Sequence, residues 1–296
     1  MDGIILVDKP AGISSAEVVR RIKARVKPAR VGHLGTLDPF ATGLLPIMIG
    51  EATKLAPFLE GGDKEYSGLI RLGVETDTLD RDGQVVRTAE IPALTAERLA
   101  DVAARFTGVI EQVPPIFSAI KRGGVALYRL ARRGDEVEPP QSRRVEIRQL
   151  SLAAEGADSI RFTALCSPGT YARSLARDIG AALGSAGCLY ELRRLRNGEF
   201  RIGDALALDR VLAALEADGG KSIPVIGLRE ALGQMPEVTI DASLEARLRH
   251  GDSRVLDGLV PAGAPLFKVV SMKPALVAVA RATSRVTAVI ERVFVS

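Results

Sequence analysis

Apolar residues come in short bursts along this chain, broken by glycine, proline and charged positions. Ile4-Ile5-Leu6-Val7 is the first burst, and the longer run Leu44-Leu45-Pro46-Ile47-Met48-Ile49 follows. Such runs, bounded by turn residues, predict strands near 3–8, 45–49, 65–74, 144–153, 159–166 and 188–200. Helical spacing predicts helices near 15–27, 95–106, 124–133, 171–183 and 242–250. Ser14 and Glu17 have the separation of a capping box at the head of the first. Helices do not alternate regularly with strands, as a doubly wound parallel sheet requires. The pattern therefore predicts an α+β fold with a largely antiparallel mixed sheet.

Near 218–237 the composition shifts to Gly219, Gly220, Pro224, Gly233 and Pro236, and a strand-rich tail follows that ends with Val286 to Val295. This divides the chain into a domain over 1–235 and a small one over 236–296. With 296 residues, 47% of them hydrophobic, the chain can bury a full core. The amino terminus opens Met-Asp-Gly with a four-residue apolar run before Asp8, and no uncharged stretch approaches the roughly 18 residues of a membrane span. The expected location is cytoplasmic, away from any membrane. Cys166 and Cys188 are too few for a disulfide framework, and the two distant histidines give no zinc-ligand spacing. Reduced, partly buried thiols and no metal are expected.

Net charge is a modest +4, but the basic residues cluster, which points to an anionic partner. Arg20, Arg21, Lys23, Arg25, Lys27 and Arg30 run without an acid; they form either a solvated helix face or a phosphate-binding one. Lys121, Arg122, Arg129, Arg132 and Arg133 lie between Pro114-Pro115 and Pro139-Pro140. Arg193, Arg194, Arg196 and Arg201 alternate as in a strand, and some can pair with Glu191 and Glu199. Neither phosphate-cradling glycine fingerprint is present, so no nucleotide cofactor is expected. Asp77, Asp80, Asp82 and Gly83 faintly resemble a calcium loop. Aligning Gly83 to its required position puts Thr78 first and Ala89 last, so the segment reads as an acidic turn between strands.

The segment Gly32-His33-Leu34-Gly35-Thr36-Leu37-Asp38-Pro39-Phe40-Ala41-Thr42-Gly43 places one carboxylate among backbone-bending residues. Glycines reach dihedral angles that other residues avoid, and Pro39 pushes Asp38 towards an extended conformation. A plain connector whose Asp caps a turn is one reading. A fixed loop packed on a core strand, aiming Asp38, is the other, and the aliphatic run directly after it favours that.

The segment resembles the signature motif of the bacterial tRNA pseudouridine-55 synthases, the TruB family. Val7-Asp8-Lys9-Pro10-Ala11-Gly12-Ile13-Ser14-Ser15 resembles the family's amino-terminal element, and Lys64-Glu65-Tyr66, Leu72-Gly73 and Thr76-Asp77-Thr78 its tyrosine strand and turn. Pro114 to Lys121, Cys166 to Arg173 and Leu192-Arg193-Arg194-Leu195 complete the order. Leu34 and Thr36 stand where many relatives have Thr and Ala.

The resemblance implies a pseudouridine-synthase catalytic domain, an RNA-gripping insertion near 113–145, and a PUA-like RNA-binding β domain in the tail. It implies isomerisation of the T-loop uridine of tRNA by base flipping: the glycosidic bond breaks, the base turns, and carbon 5 rejoins the ribose. Asp38 is the implied catalytic residue, as nucleophile or as base. To act it must be an anion in a water-poor pocket, a form that a partnered guanidinium favours, and Arg173 occupies that position. Tyr66 is implied to stack on the base and relay a proton, Leu192 to wall the pocket, Tyr171 to pack beside the base, and Lys9 and Pro10 to support the Asp38 loop. His33 and the Lys121, Arg122, Arg129, Arg132, Arg133 cluster are implied RNA contacts. The implied enzyme is a monomer that uses no cofactor. A synthase acting on another RNA, or a tRNA-folding chaperone without catalysis, stays open.

Overall fold

The computed structural model describes residues 2–26, 30–118, 121–122, 125–127, 138, 140–273 and 275–294, with the backbone alone at 121, 122, 125 and 126. Numbered along the chain, its first strands are β1 (Gly3–Lys9), β2 (Val31–His33), β3 (Thr42–Ile49), β4 (Lys64–Leu72), β5 (Val74–Thr76) and β6 (Val85–Thr88). Next come β7 (Gly108–Gln112), β8 (Lys121–Arg122), β9 (Val125–Ala126), β10 (Arg143–Ala154) and β11 (Ser159–Cys166). After them lie β12 (Gly187–Asn197), β13 (Phe200–Arg201), β14 (Leu206–Ala207), β15 (Glu237–Ile240), β16 (Leu266–Ser271), β17 (Leu276–Ala282) and β18 (Ala288–Val293).

The main sheet runs β14-β1-β3-β12-β4-β11-β10-β7, with β2 on β3 and β13 on β12. Its pairings are antiparallel except β1–β14 and β3–β12, so the sheet is mixed and largely antiparallel, as the sequence pattern predicts. Alternation explains why β1 and β3 read as unbroken apolar runs. Ile5, Val7, Leu45, Ile47 and Ile49 face one core, and Ile4, Leu6, Leu44 and Met48 the other. The first core is roofed by helices Ser15–Lys23, Ala96–Phe106, Ala172–Ala182 and Leu208–Asp218, which bury Val18, Ile22, Leu99, Val102, Leu175, Ile179, Val211 and Leu215. At about 1.5–3 kcal/mol for each fully buried aliphatic side chain, these contacts dominate the stability of the layer.

The tail forms a separate sheet in the order β15-β16-β17-β18, with its own core of Ile240, Leu248, Phe267, Val269 and Val277. Leu276, Val279 and Phe294 turn the other way and pack with Ile4, Leu6, Leu44 and Met48. The tail thus covers the face of β1 and β3 that the helices leave open.

Several expected bounds differ. The first helix stops at Lys23 rather than 27, capped at its start by Ser14, which accepts from the Glu17 amide. Gly73, at φ +82°, separates β4 from β5 within the expected strand 65–74. Gly198, at φ +59°, ends β12 at Asn197 and turns the chain into β13, where one strand to 200 was expected. The helix expected over 124–133 fails at its start, because Val125–Ala126 pairs with Lys121–Arg122 as a hairpin; residues 128–133 lie outside the described ones. Helix Leu208–Asp218 carries no side-chain cap at Ala207, so the usual start signal is missing. Both cysteines are buried, which pushes each thiol up to about 11. Among the described residues no helix is long and apolar enough to cross a membrane.

Candidate active site

Asp38 sits on a loop between β2 and β3 that is tied down on several sides. Lys9, buried at the end of β1, donates through Nζ to the carbonyls of Pro10 (2.9 Å), Ile13 (2.8 Å) and Pro39 (3.2 Å). The Gly12 amide donates to the same Pro39 carbonyl at 2.8 Å. Ser15 Oγ accepts from the Leu37 amide at 2.9 Å and donates to the Leu37 carbonyl at 3.1 Å. Leu37, Phe40 and Ala41 anchor the loop in the helix-side core. With its backbone fixed on both sides of Asp38, the loop gives the carboxylate one direction.

That direction is towards Arg173, in the first turn of helix Ala172–Ala182. Arg173 Nε lies 3.0 Å from Oδ2 of Asp38, and Nη2 donates to Oδ1 at 3.1 Å, a two-point pair. The remaining guanidinium donors are also used. Nη2 reaches the Phe117 carbonyl at 3.0 Å, Nη1 the Thr78 carbonyl at 3.1 Å, and Nη1 stands 3.6 Å from Asp80 Oδ2. Gln112, fully buried, sets the start of this helix: its Oε1 accepts from the Tyr171 amide at 2.8 Å and its Nε2 donates to the Tyr171 carbonyl at 3.2 Å. It serves where Tyr171, at the cap position, makes no capping bond of its own.

Asp80 and Gln112 escape a reading of the sequence. The stretch from Asp77 to Gly83 is the turn between β5 and β6 that composition suggests, yet its Asp80 is buried and faces the site. Burial raises its pKa, while a bond from Thr78 Oγ1 (2.6 Å) and the Arg173 charge oppose the shift. The signal available was Leu79, an apolar residue inside an acidic turn; it is buried at φ +62°.

Tyr66 lies on β4, opposite Arg194 of β12. Burial raises the pKa of its phenol, and the Arg194 charge opposes that rise. Arg194 is itself buried, donates to the carbonyls of Leu44 (2.8 Å) and Gly35 (2.9 Å), and pairs with no carboxylate among the described residues. Leu192 is buried two residues before it, opposite Gly68. Tyr171 is half-buried, with the Arg143 guanidinium 5.1 Å above its ring. Pro10 is exposed and offers Lys9 its carbonyl.

His33 stands apart from this group, on β2. It is half-buried, and burial first, then the Arg194 charge, lowers its pKa, so it is neutral at pH 7. Its Nδ1 is buried without a partner. Of the expected insertion cluster, Lys121 and Arg122 are described only as backbone of β8, while Arg129, Arg132 and Arg133 lie outside the described residues. The acid-free run is not free of acids in space. Arg20 and Arg21 pair with Glu17, and Arg25 pairs with Glu216. Arg193 pairs with Asp8 at 2.7 Å, and Arg196 lies 3.9 Å from Glu199, whereas Glu191 pairs with Arg161.

A bidentate Arg–Asp pair beside the central strands of a mixed sheet, with a tyrosine and a leucine on two adjacent ones, can hold one reactive carboxylate beside an apolar wall. Comparison with known proteins identifies the arrangement. Residues 21–172 match the model of the TruB family pseudouridylate synthase N-terminal domain, and residues 173–234 match the tRNA pseudouridylate synthase B C-terminal domain. The two matches meet between Asp38 and Arg173, so the pair joins both. The chain is 43% identical to tRNA pseudouridine synthase B of Geobacter sulfurreducens over 253 residues, 85% of this chain and 82% of that one. It is 44% identical to the protein of the same name from Aromatoleum aromaticum, over 89% of this chain and 83% of that one. Among solved structures, a Cbf5-Nop10-Gar1 complex contains a chain that matches with a TM-score of 0.73 and 26% identity, covering 99% of this chain and 85% of that one. An H/ACA RNP bound to a substrate RNA containing 2'-deoxyuridine matches with a TM-score of 0.74 and 25% identity, at the same coverage. The chain belongs to the TruB family and is a pseudouridylate synthase, an isomerase.

Proposed function

We propose that this protein converts the uridine at position 55, in the T-loop of tRNA, to pseudouridine, with Asp38 as the reacting carboxylate. The observation that carries the reading is the two-point Asp38–Arg173 pair, on a loop whose backbone is held by Lys9, Gly12 and Ser15. The reaction is an isomerisation, in which no atom is lost and nothing is oxidised. It needs a base pulled from its stack, a group acting at the sugar, and a pocket that keeps the detached uracil until carbon 5 faces the ribose.

Asp38 supplies the acting group, either by attacking the sugar carbon or by removing a sugar proton. Arg173 orients it without competing for substrate, since its donors are already spent on Asp38, Thr78 and Phe117. Tyr66 offers a ring to the flipped base and a phenol, kept protonated by burial, to the proton at carbon 5. Leu192 lines the pocket, and Lys9 and Pro10 hold the loop. His33, neutral and half-buried, is suited to packing against the opened loop rather than to acid-base work. Residues 236–296 act as a PUA-like module, the basic insertion grips the T-arm, and the working unit is a cytoplasmic monomer.

Carbodiimide mapping of a complete tRNA transcript tests the assignment. One new reverse-transcription stop at position 55 is expected after incubation with the protein. A stop at another uridine alone refutes the T-loop assignment.

A further inference from the structure

Arg81 is the residue after Asp80, and neither the isomerisation nor the fold has a use for its charge. Its guanidinium carbon lies 5.7 Å from the centroid of Phe40 and 5.9 Å from that of Tyr190, within cation–aromatic range of both. Phe40 is the second residue after Asp38, so this shelf adjoins the candidate site from two directions. Its own surroundings leave the guanidinium open. It is 36% exposed, its ion pair with Asp82 is long at 3.8 Å, and among the described residues no acceptor takes a hydrogen bond from its side chain. What holds it is its backbone, whose amide donates to the Leu189 carbonyl at 3.1 Å.

Tyr190 is placed with equal care. It is the extra residue of a β-bulge, because Leu189 pairs with Ile70 while Glu191 pairs with Leu69 on β4. A bulge turns a side chain out of the regular alternation, and here it leaves a large ring 43% exposed beside a cation. On the facing turn, Leu79 stands at φ +62°, a conformation that costs a non-glycine residue free energy and that carries Arg81 over the rings. Two backbone irregularities thus converge on one guanidinium–ring shelf.

We infer that Arg81 and Tyr190, backed by Phe40, form a subsite for the nucleotide next to the uridine inserted at Asp38. Its base stacks on the Tyr190 ring and its phosphate meets the Arg81 guanidinium. This deepens the proposed function and rests on its RNA substrate.

The test measures the Kd of a fluorescent T-arm hairpin across a salt series for the parent, Arg81→Gln, Arg81→Lys and Tyr190→Leu, with tritium release from the same hairpin as the second readout. Arg81→Gln and Tyr190→Leu are expected to raise Kd about five- to tenfold each, with KM affected more than kcat. The double variant should lose less than the product of the two. Arg81→Gln should also flatten the slope of log Kd against log salt by about 0.7, whereas Arg81→Lys keeps the slope. A urea midpoint equal to the parent's assigns the loss to the RNA contact. Arg81→Gln binding as tightly as the parent, with an unchanged slope, overturns the subsite even if turnover is normal. If the parent binds the hairpin but does not turn it over, and Arg81→Gln still weakens binding, the T-loop reading falls and the subsite stands. No binding by the parent removes both.

Discussion

Arg173 serves two carboxylates in unlike surroundings. Asp38 takes a two-point contact at 3.0 and 3.1 Å, and its side chain is 32% exposed. Asp80 approaches only to 3.6 Å, is 9% exposed, and already accepts from Thr78 Oγ1 and the Asp82 amide. Their loops differ in the same sense. The Asp38 loop is fixed by distant residues, Lys9, Gly12 and Ser15, with Asn197 donating to the Leu34 carbonyl at 2.9 Å. The Asp80 turn is closed by its own residues, Thr76, Thr78 and Gln84, and docks on β12 through two backbone bonds with Leu189. The open carboxylate can meet a substrate; the sealed one can only steady the guanidinium between them.

The sharpest break in this comparison is Arg173→Met, which removes what the carboxylates share. Turnover by tritium release should fall at least about 1,000-fold. Stability in urea should drop by about 3–5 kcal/mol, the cost of leaving a buried partner uncompensated. Retained turnover would mean that Asp38 needs no orienting cation. Asp80→Asn keeps the shape and removes one charge. Because that contact is long, the loss in kcat should be about tenfold, far below that of Asp38→Asn. Equal losses would erase the distinction drawn between the two.

Smaller changes test the loop alone. Gly35 holds φ +75°, and a Cβ there would stand 3.1 Å from Arg194 Nη1. Gly35→Ala should therefore cost about 1–2 kcal/mol in urea unfolding; no loss would show a loop freer than its bonds imply. Lys9 gives the smallest effect. Burial lowers its pKa from 10.5 to about 8, against the opposing pull of Asp38. Between those values the unfolded chain keeps a proton that the folded chain has released, so this site's contribution to stability rises with pH across that window. Relative to Lys9→Met, the parent should gain about 2–4 °C in Tm between pH 7.5 and pH 9.5. A parallel pair of curves would place the titration elsewhere.

The sequence made one of the two carboxylates legible and hid the other, for physical reasons. Asp38 lies among glycines and a proline that announce a constrained loop, and its motif shares an order with five others. Asp80 lies in a stretch of acids whose composition is that of any solvated turn; only folding onto Arg173 gives it a role. Arg194 hides in the same way, since a strand of alternating arginines gives no sign that one is fully buried and bonded to the carbonyls of Gly35 in the loop and Leu44 on β3. The long strands β1, β3, β4, β10, β11 and β12 of the main sheet were readable because they are aliphatic runs or clean alternations, whereas the short β2, β7 and β14 were not. Helix Leu208–Asp218 was not, because nothing caps its start. The basic run after Ser14 misled as to charge, because its acidic partners include Glu216, 191 residues further along the chain.

Single-turnover tritium release from carbon-5-labelled uridine in a T-arm hairpin, comparing the parent with Asp38→Asn and with binding of the same RNA measured alongside, tests the central claim most directly. Release by the parent, with none from a variant that binds the hairpin as tightly, is the predicted result. Release by Asp38→Asn at a rate near the parent's would contradict the assignment of Asp38 as the reacting carboxylate.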